Sequence, residues 1–117
     1  MVYNISEQID DAFFALSHPV RRAVLEQLTH GKQSVTEVSR PYGLSKAQMT
    51  KHLAILERGG LVSRERQGRI HQLTLQADVL HEIMQWLQRY QQFWDTRLGA
   101  LERFLDNAVD VNPESRD

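Results

Sequence analysis

Lys46, Gln48, Thr50, Lys51 and His52 share the polar surface of one short stretch, Leu44 to Leu56. Side chains of these types contact nucleic acid in two ways. Ammonium, hydroxyl and imidazole groups donate to phosphate oxygens, which positions a duplex, while paired donors and acceptors read base edges. Lys46 and Lys51 suit phosphate or guanine O6/N7, and the Gln48 amide suits adenine, whose major-groove edge offers one donor and one acceptor. Thr50 and His52 suit phosphate. No acid interrupts the stretch until Glu57. A solvated helix ordinarily mixes signs and carries acids near its N-terminus, where the macrodipole favours them; leaving them out suits a surface that approaches a polyanion.

The flanking residues predict the elements that hold this surface. Ser45 follows the breaker pair Tyr42-Gly43 and can cap a helix through its hydroxyl. Met49, Leu53 and Leu56 then recur at i, i+4 and i+7, a narrow apolar stripe for a core. Upstream, Val35 to Ser39 reads as a short helix stopped ahead of Pro41, because the residue before proline disfavours the helical region. Downstream, Gly59-Gly60 ends the second helix. Leu61 to Arg66 is extended, Gln67-Gly68 turns, and Arg69 to Leu75 returns, giving a hairpin with Arg64, Arg66, Arg69 and His71 on or near it. Arg69, at the turn, is the best groove or phosphate candidate of the hairpin. Arg64 and Arg66 suit the same role or pairing with Glu57 or Glu65. Short helix, tight turn, capped helix and basic hairpin together predict a helix-turn-helix with a two-stranded wing, a mainly α fold of about five helices.

Ser6 to Leu16 reads as a first helix with Ile9, Phe13 and Leu16 on one face. His18-Pro19 opens a second, with Pro19 at the first helical position, where its missing N–H is harmless. Val20, Val24, Leu25 and Leu28 form its buried stripe, Gly31 ends it, and His18 is read as a cap or surface residue. Arg21 and Arg22 suit phosphate contact or pairing with Glu26, the plainer use. After the hairpin, one long helix is predicted from about 77 to 107. Leu80, Ile83, Leu87, Tyr90, Trp94, Leu98, Leu101 and Leu105 lie three or four residues apart along it, close to a heptad seam. So wide an apolar arc exceeds what the remaining chain can cover, so a second copy is expected there, with Phe13 of the first helix joining it. The domain is expected to span 1–107, with 108–117 a disordered tail.

The 117 residues suffice for one domain and one small core. No cysteine is present, which excludes disulfides, thiolate metal sites and cysteine catalysis. No apolar run approaches the roughly 18 residues of a membrane span, and the first residues lack signal-peptide character; a cytoplasmic protein without membrane contact is expected. The net charge is −1, yet residues 40–71 hold seven Lys/Arg against two acids, a local +5, with the acidic excess elsewhere. Positive charge is thus concentrated on the segment whose pattern suggested DNA contact.

From about Phe13 to Leu105 the chain resembles the ArsR family of bacterial winged-helix transcriptional regulators. The matching residues are Ala15-Leu16-Ser17-His18-Pro19-Val20-Arg21-Arg22 with Val24-Leu25 and Leu28, then Leu44-Ser45, Lys51-His52-Leu53 and Leu56, then Gly60-Leu61-Val62 and Gly68-Arg69. The run Trp86-Leu87-x-x-Tyr90-x-x-Phe93-Trp94-x-x-x-Leu98 resembles a subgroup whose members lack metal ligands. The resemblance implies a homodimer joined through first and last helices, recognition helices in successive major grooves of a palindromic operator, and repression relieved by some signal. Position by position, it puts Ser45, Lys46, Thr50, Lys51 and His52 on DNA-facing positions and Arg69 on the wing tip. Ala47-Gln48 stands where many subgroup members have Pro-Ala, and Lys46 where Gln is frequent, so base preference is not carried over.

The metal-sensing branch of the family needs third-helix cysteines, and Ser34-Val35-Thr36-Glu37-Val38 stands there instead. Asp78 and His81, with Glu82, could hold an adventitious zinc at most, so no metal or cofactor is expected. Trp86, Tyr90, Phe93 and Trp94 are of a kind to line an apolar pocket for an unknown small-molecule effector, though packing is the commoner use of such a stripe. Catalysis has little support, with no glycine-rich phosphate loop and acids scattered over helix surfaces. The alternative to a DNA-binding regulator is a winged-helix protein-interaction module, which would not require a basic, acid-free recognition surface.

Overall fold

A computed structural model describes the backbone of residues 2–110 and the side chains of residues 7–108. It comprises two compact units that divide between Ile83 and Met84. The first contains α1 (Val2–Leu16), α2 (Pro19–Leu28), β1 (Gln33–Ser34), α3 (Val35–Ser39), α4 (Lys46–Arg58), β2 (Val62–Gln67), β3 (Ile70–Leu75) and the opening turns of α5 (Ala77–Asp110). This is the winged helix-turn-helix order, mainly helical with a small antiparallel sheet.

Local chemistry accounts for most boundaries. The His18 ring caps α2, its Nδ1 accepting from the Val20 N–H at 3.0 Å, with Pro19 in the first turn. Both helices of the helix-turn-helix begin with capping boxes. Ser34 Oγ accepts from the Glu37 N–H at 3.1 Å while a Glu37 oxygen accepts from the Ser34 N–H at 3.0 Å. The Ser34 backbone N–H, then the Ser34 side chain and more weakly Arg40, hold the Glu37 carboxylate below the usual carboxylate range. Ser45 and Gln48 repeat the box at 3.1 and 3.0 Å, so two otherwise orphaned N–H groups are satisfied at each entry.

Three details depart from expectation. The sheet has three strands in the order β1-β3-β2, not two. Gln33 and Ser34 pair with Leu73 and Gln72, and a two-residue strand is too short to show alternation in sequence. Helix α3 stops at Ser39, ahead of Pro41 as expected, but the chain runs directly on into a 3-10 turn, Arg40–Tyr42, that contains Pro41. There the Tyr42 hydroxyl donates to Gln27 Oε1 on α2. Lastly, α5 continues to Asp110, so residues 108–110 are helical; the rest of the expected tail, 111–117, lies outside the described residues.

In the wing, Gln67 pairs with Ile70, leaving Gly68 and Arg69 as a two-residue loop. Gly68 has φ +64° and no non-glycine residue among those described has positive φ, so the loop is of the type that requires glycine at its first central position. The core gathers Val24, Leu25 and Leu28 of α2, Val38 of α3, Met49, Leu53 and Leu56 of α4, and Leu61, Val62 and Leu73 of the wing and its approach. Ala12 and Ala15 of α1 complete it against the end of α4. The approach is close: a Cβ on Gly59 would meet the Asp11 carbonyl at 3.0 Å and the Ala12 Cα at 3.1 Å. Ile83 also belongs to this core, at 5% exposure.

The second unit is the remainder of α5. Its apolar side chains from Leu87 to Leu105 are open, with Trp94 at 59% and Phe104 at 69% exposure. Edge-to-face rings, Trp86 on Tyr90 at 5.1 Å and Phe93 on Trp94 at 5.8 Å, line up along it. The Arg97 guanidinium lies 4.8 Å from the Phe93 ring centre. The segment carries both signs of charge, yet its large apolar residues remain uncovered within the unit.

Candidate nucleic-acid interface

Helix α4 divides into two faces. Met49, Leu53 and Leu56 are buried, while Lys46, Ala47, Gln48, Thr50 and Lys51 are exposed. Its first turn carries no acid and its last carries Arg58. The N-terminal N–H groups left over by the capping box and the two lysines therefore present one sign of potential outward. Ser45 and Gln48 are partly committed to each other. Gln48 Oε1 already accepts from the Ser45 N–H, so bidentate reading of adenine would use its second lone pair or require the cap to open.

The expected contact residues fall into two groups. The side chains of Lys46, Thr50 and Arg69 make no hydrogen bond or ion pair among the described residues. They line, with Thr36 and Arg40, a groove of about 1020 Å³ between the helix-turn-helix and the wing. Lys51 is exposed on the same helix. These cations are available to phosphate. Arg64 is not in the same state. Its Nη2 meets Glu57 Oε2 at 3.0 Å and its Nε meets Oε1 at 3.3 Å, both side chains about a third exposed. This two-pronged pair ties β2 to the last turn of α4, the structural use that Glu57 offered. Arg66 is exposed, and its Nε donates to the Gly68 carbonyl at 2.9 Å, bracing the wing loop.

His52 is half-buried rather than open. Arg21 Nη1 donates to its Nδ1 at 2.9 Å, and its ring centre lies 4.4 Å from that of His18. Burial, then His18, Arg21 and Lys51 in that order, lower its pKa from the ordinary histidine value. Arg21 itself is buried, with Nε donating to the Ala15 carbonyl at 2.8 Å and Nη2 to the Phe14 carbonyl at 3.1 Å. It therefore makes neither the phosphate contact nor the Glu26 pair that the sequence suggested. Arg22, exposed, donates to the Leu16 carbonyl at 2.7 Å. Both arginines serve the carbonyls at the C-terminal end of α1, where cations are favoured.

Arg40 escaped sequence reading: it adds a cation to the groove from the 3-10 turn, and its place beside Pro41 was legible but its direction was not. His71, which the sequence placed on the hairpin, lines the groove with a buried Nδ1 that has no hydrogen-bond partner among the described residues. Among the expected dimer residues, Ile83 is corrected to the chain's own core, and Leu80 is half-buried against that core. Phe13, Leu87, Tyr90, Trp94, Leu98 and Leu101 are exposed. A shallow hollow of about 380 Å³ lies among Trp86, Arg89, Tyr90 and Phe93. No three metal-ligating side chains come together among the described residues, and no helix among them is long and apolar enough to cross a membrane.

Comparison with known proteins agrees with this geometry. Residues 16–65 match a family described as a helix-turn-helix domain. The HTH-type transcriptional regulator Rv2034 of Mycobacterium tuberculosis is 30% identical over 101 residues, 86% of this chain and 92% of that protein. The transcriptional repressor SdpR of Bacillus subtilis is 28% identical over 79 residues, 68% of this chain and 88% of the repressor. Among solved structures, that of an ArsR family transcriptional regulator matches with a TM-score of 0.72 at 31% identity, covering 77% of this chain and 93% of that one. An ArsR-like regulator from Rhodococcus sp. RHA1 matches with a TM-score of 0.67 at 27% identity, covering 85% of this chain and 93% of the other.

Proposed function

The chain belongs to the ArsR family of helix-turn-helix transcriptional regulators, and on that premise we propose that it is a cytoplasmic repressor that binds a palindromic operator as a homodimer. The observation that carries the reading is the exposed, acid-free face of α4, flanked by the groove cations Lys46 and Arg69, which make no ion pair among the described residues. A chain of net charge −1 that leaves such a surface unpaired has a use for it against phosphate. The apolar face of α5 beyond Ile83, with Phe13 of α1, is proposed as the dimer surface. Two recognition helices related by two-fold symmetry then read half-sites about one helical turn apart, roughly 34–36 Å. Repression is supported by the name of the Bacillus subtilis relative, a transcriptional repressor, and a dimer bound over a promoter would exert it by occlusion; the relieving signal would act on the dimer or on the groove.

Selection of bound sequences from a random duplex library, with a Lys46→Ala/Lys51→Ala protein as control, tests the reading. A two-fold symmetric site enriched by the wild type and lost in the control is the expected outcome. Enrichment of nothing at low salt would overturn it and favour a protein-docking role for the same fold.

A further inference from the structure

Arg21 is the buried charged residue of the described core, at 5% exposure. Besides the Ala15 and Phe14 carbonyls, its guanidinium donates to Ser17 Oγ at 3.3 Å and to His52 Nδ1 at 2.9 Å. A guanidinium has five N–H donors, no acceptor, and does not lose its proton in proteins. Nδ1 of His52 must therefore carry the lone pair, and the ring proton must sit on Nε2. That Nε2 makes no hydrogen bond among the described residues, and the ring stands next to Lys51 on the recognition helix.

We propose that Arg21 is a positioning residue for DNA recognition: it locks His52 as the neutral Nε2–H tautomer, whose N–H then donates to a backbone phosphate, and acidification releases the lock. The DNA contact rests on the regulator reading above; the lock does not. The charged and titratable groups acting on His52 all oppose its protonation: His18 from the α1–α2 junction, Arg21 from α2 and Lys51 from α4 itself. The Phe14 and Ala15 carbonyls of α1 and the Ser17 hydroxyl just after it are engaged by Arg21. A protonated ring would put Nδ1–H against Nη1–H at 2.9 Å, so one of the two side chains must leave. Because the folded pKa lies below the unfolded one, the arrangement is complete at and above neutral pH. It is lost as pH falls below the ordinary histidine range, near 6.5.

This sign separates the proposal from a simple phosphate-binding histidine, whose affinity would rise as it gains a proton. It also gives the α1–α4 junction a chemical connection: the same guanidinium that satisfies the end of α1 sets the donor of the recognition helix.

Long-range proton–nitrogen NMR on the full chain without DNA reads the lock directly. The expected result is the Nε2–H tautomer, a His52 titration midpoint below about 6.5, and a rise of that midpoint in Arg21→Gln. An Nδ1–H tautomer, or a midpoint at or above the ordinary value, would overturn the lock, and the wild type alone decides this if the variant does not fold. The DNA contact is then read by fluorescence anisotropy on a mixed-sequence duplex at low salt, comparing wild type with His52→Asn. Asparagine keeps an acceptor for Arg21 and an outward N–H but does not titrate. Wild-type affinity should fall relative to His52→Asn by about tenfold for each pH unit below the His52 midpoint; parallel pH profiles would overturn the contact. A protein with the expected tautomer and midpoint that binds no duplex at any pH would keep the lock and refute the DNA reading instead.

Discussion

Helix α4 and the second unit's stretch of α5 are built on the same apolar spacing, three or four residues apart, yet they end with opposite faces exposed. In α4 the stripe Met49, Leu53 and Leu56 is buried by its own chain, and what remains outside is polar and cationic. Beyond Ile83, α5 keeps its aromatic and leucine residues exposed. A helix whose apolar stripe is satisfied internally has only its polar chemistry to offer a partner, and that partner must be charged. A helix with an unsatisfied stripe offers area, and a partner that covers it must be apolar. On the proposed function, one chain thus carries two recognition surfaces of different physical kinds. One would be salt-dependent and long-ranged; the other would be short-ranged and driven by release of water from apolar surface.

The comparison can be broken at either surface, and the apolar one should break hardest. Trp94→Glu/Leu98→Glu places two carboxylates in the exposed stripe of α5. If that stripe is the dimer surface, loss of such buried anchors costs about 2–4 kcal/mol each, and sedimentation should show monomers at concentrations where the wild type is dimeric. Unchanged circular dichroism and unchanged mass would mean that the face has another partner. Next in size is Leu53→Ala in the buried stripe of α4. Leu53 is fully buried, so truncation should destabilise the fold by about 2–5 kcal/mol, read as a lower thermal midpoint with the salt slope of DNA binding unchanged.

The smallest effects sharpen the charged surface. Lys51→Ala and Arg69→Ala should each weaken binding to all duplexes alike and lower the slope of log affinity against log salt by roughly one. Arg64→Ala should move that slope much less, because its guanidinium already pairs with Glu57. An exposed pair of this kind contributes about 0–1 kcal/mol to stability. Equal slopes for Arg64→Ala and Arg69→Ala would show that the Glu57 pair opens to DNA.

Much of the fold was legible because its signals are local. The start of α4 is written in Ser45 and Gln48, the opening of α2 in His18 and Pro19, the wing loop in Gly68. Each of these acts within three residues of itself. The site was legible only to the level of the surface. Lys46, Thr50, Lys51 and Arg69 could be put on the exposed surface from their helix and turn positions, since no acid among the described residues pairs with them. Arg64 could not, because Glu57 does. Arg21 looked like its neighbour Arg22, two exposed cations on one helix, but only one of them is buried.

By itself, then, the sequence determined the main helices and the wing, their order, the acid-free polar face of α4 and the apolar excess of the last helix. These follow from periodicity, capping and turn chemistry, which depend on near neighbours. Tertiary structure alone decided that Gln33 and Ser34 form a third strand, that Ile83 belongs to the core, and that His52 is held by Arg21, 31 residues away along the chain. Each of these requires two distant segments to meet, and a hydrogen-bond donor or a buried methyl leaves no mark in sequence of which distant partner will claim it.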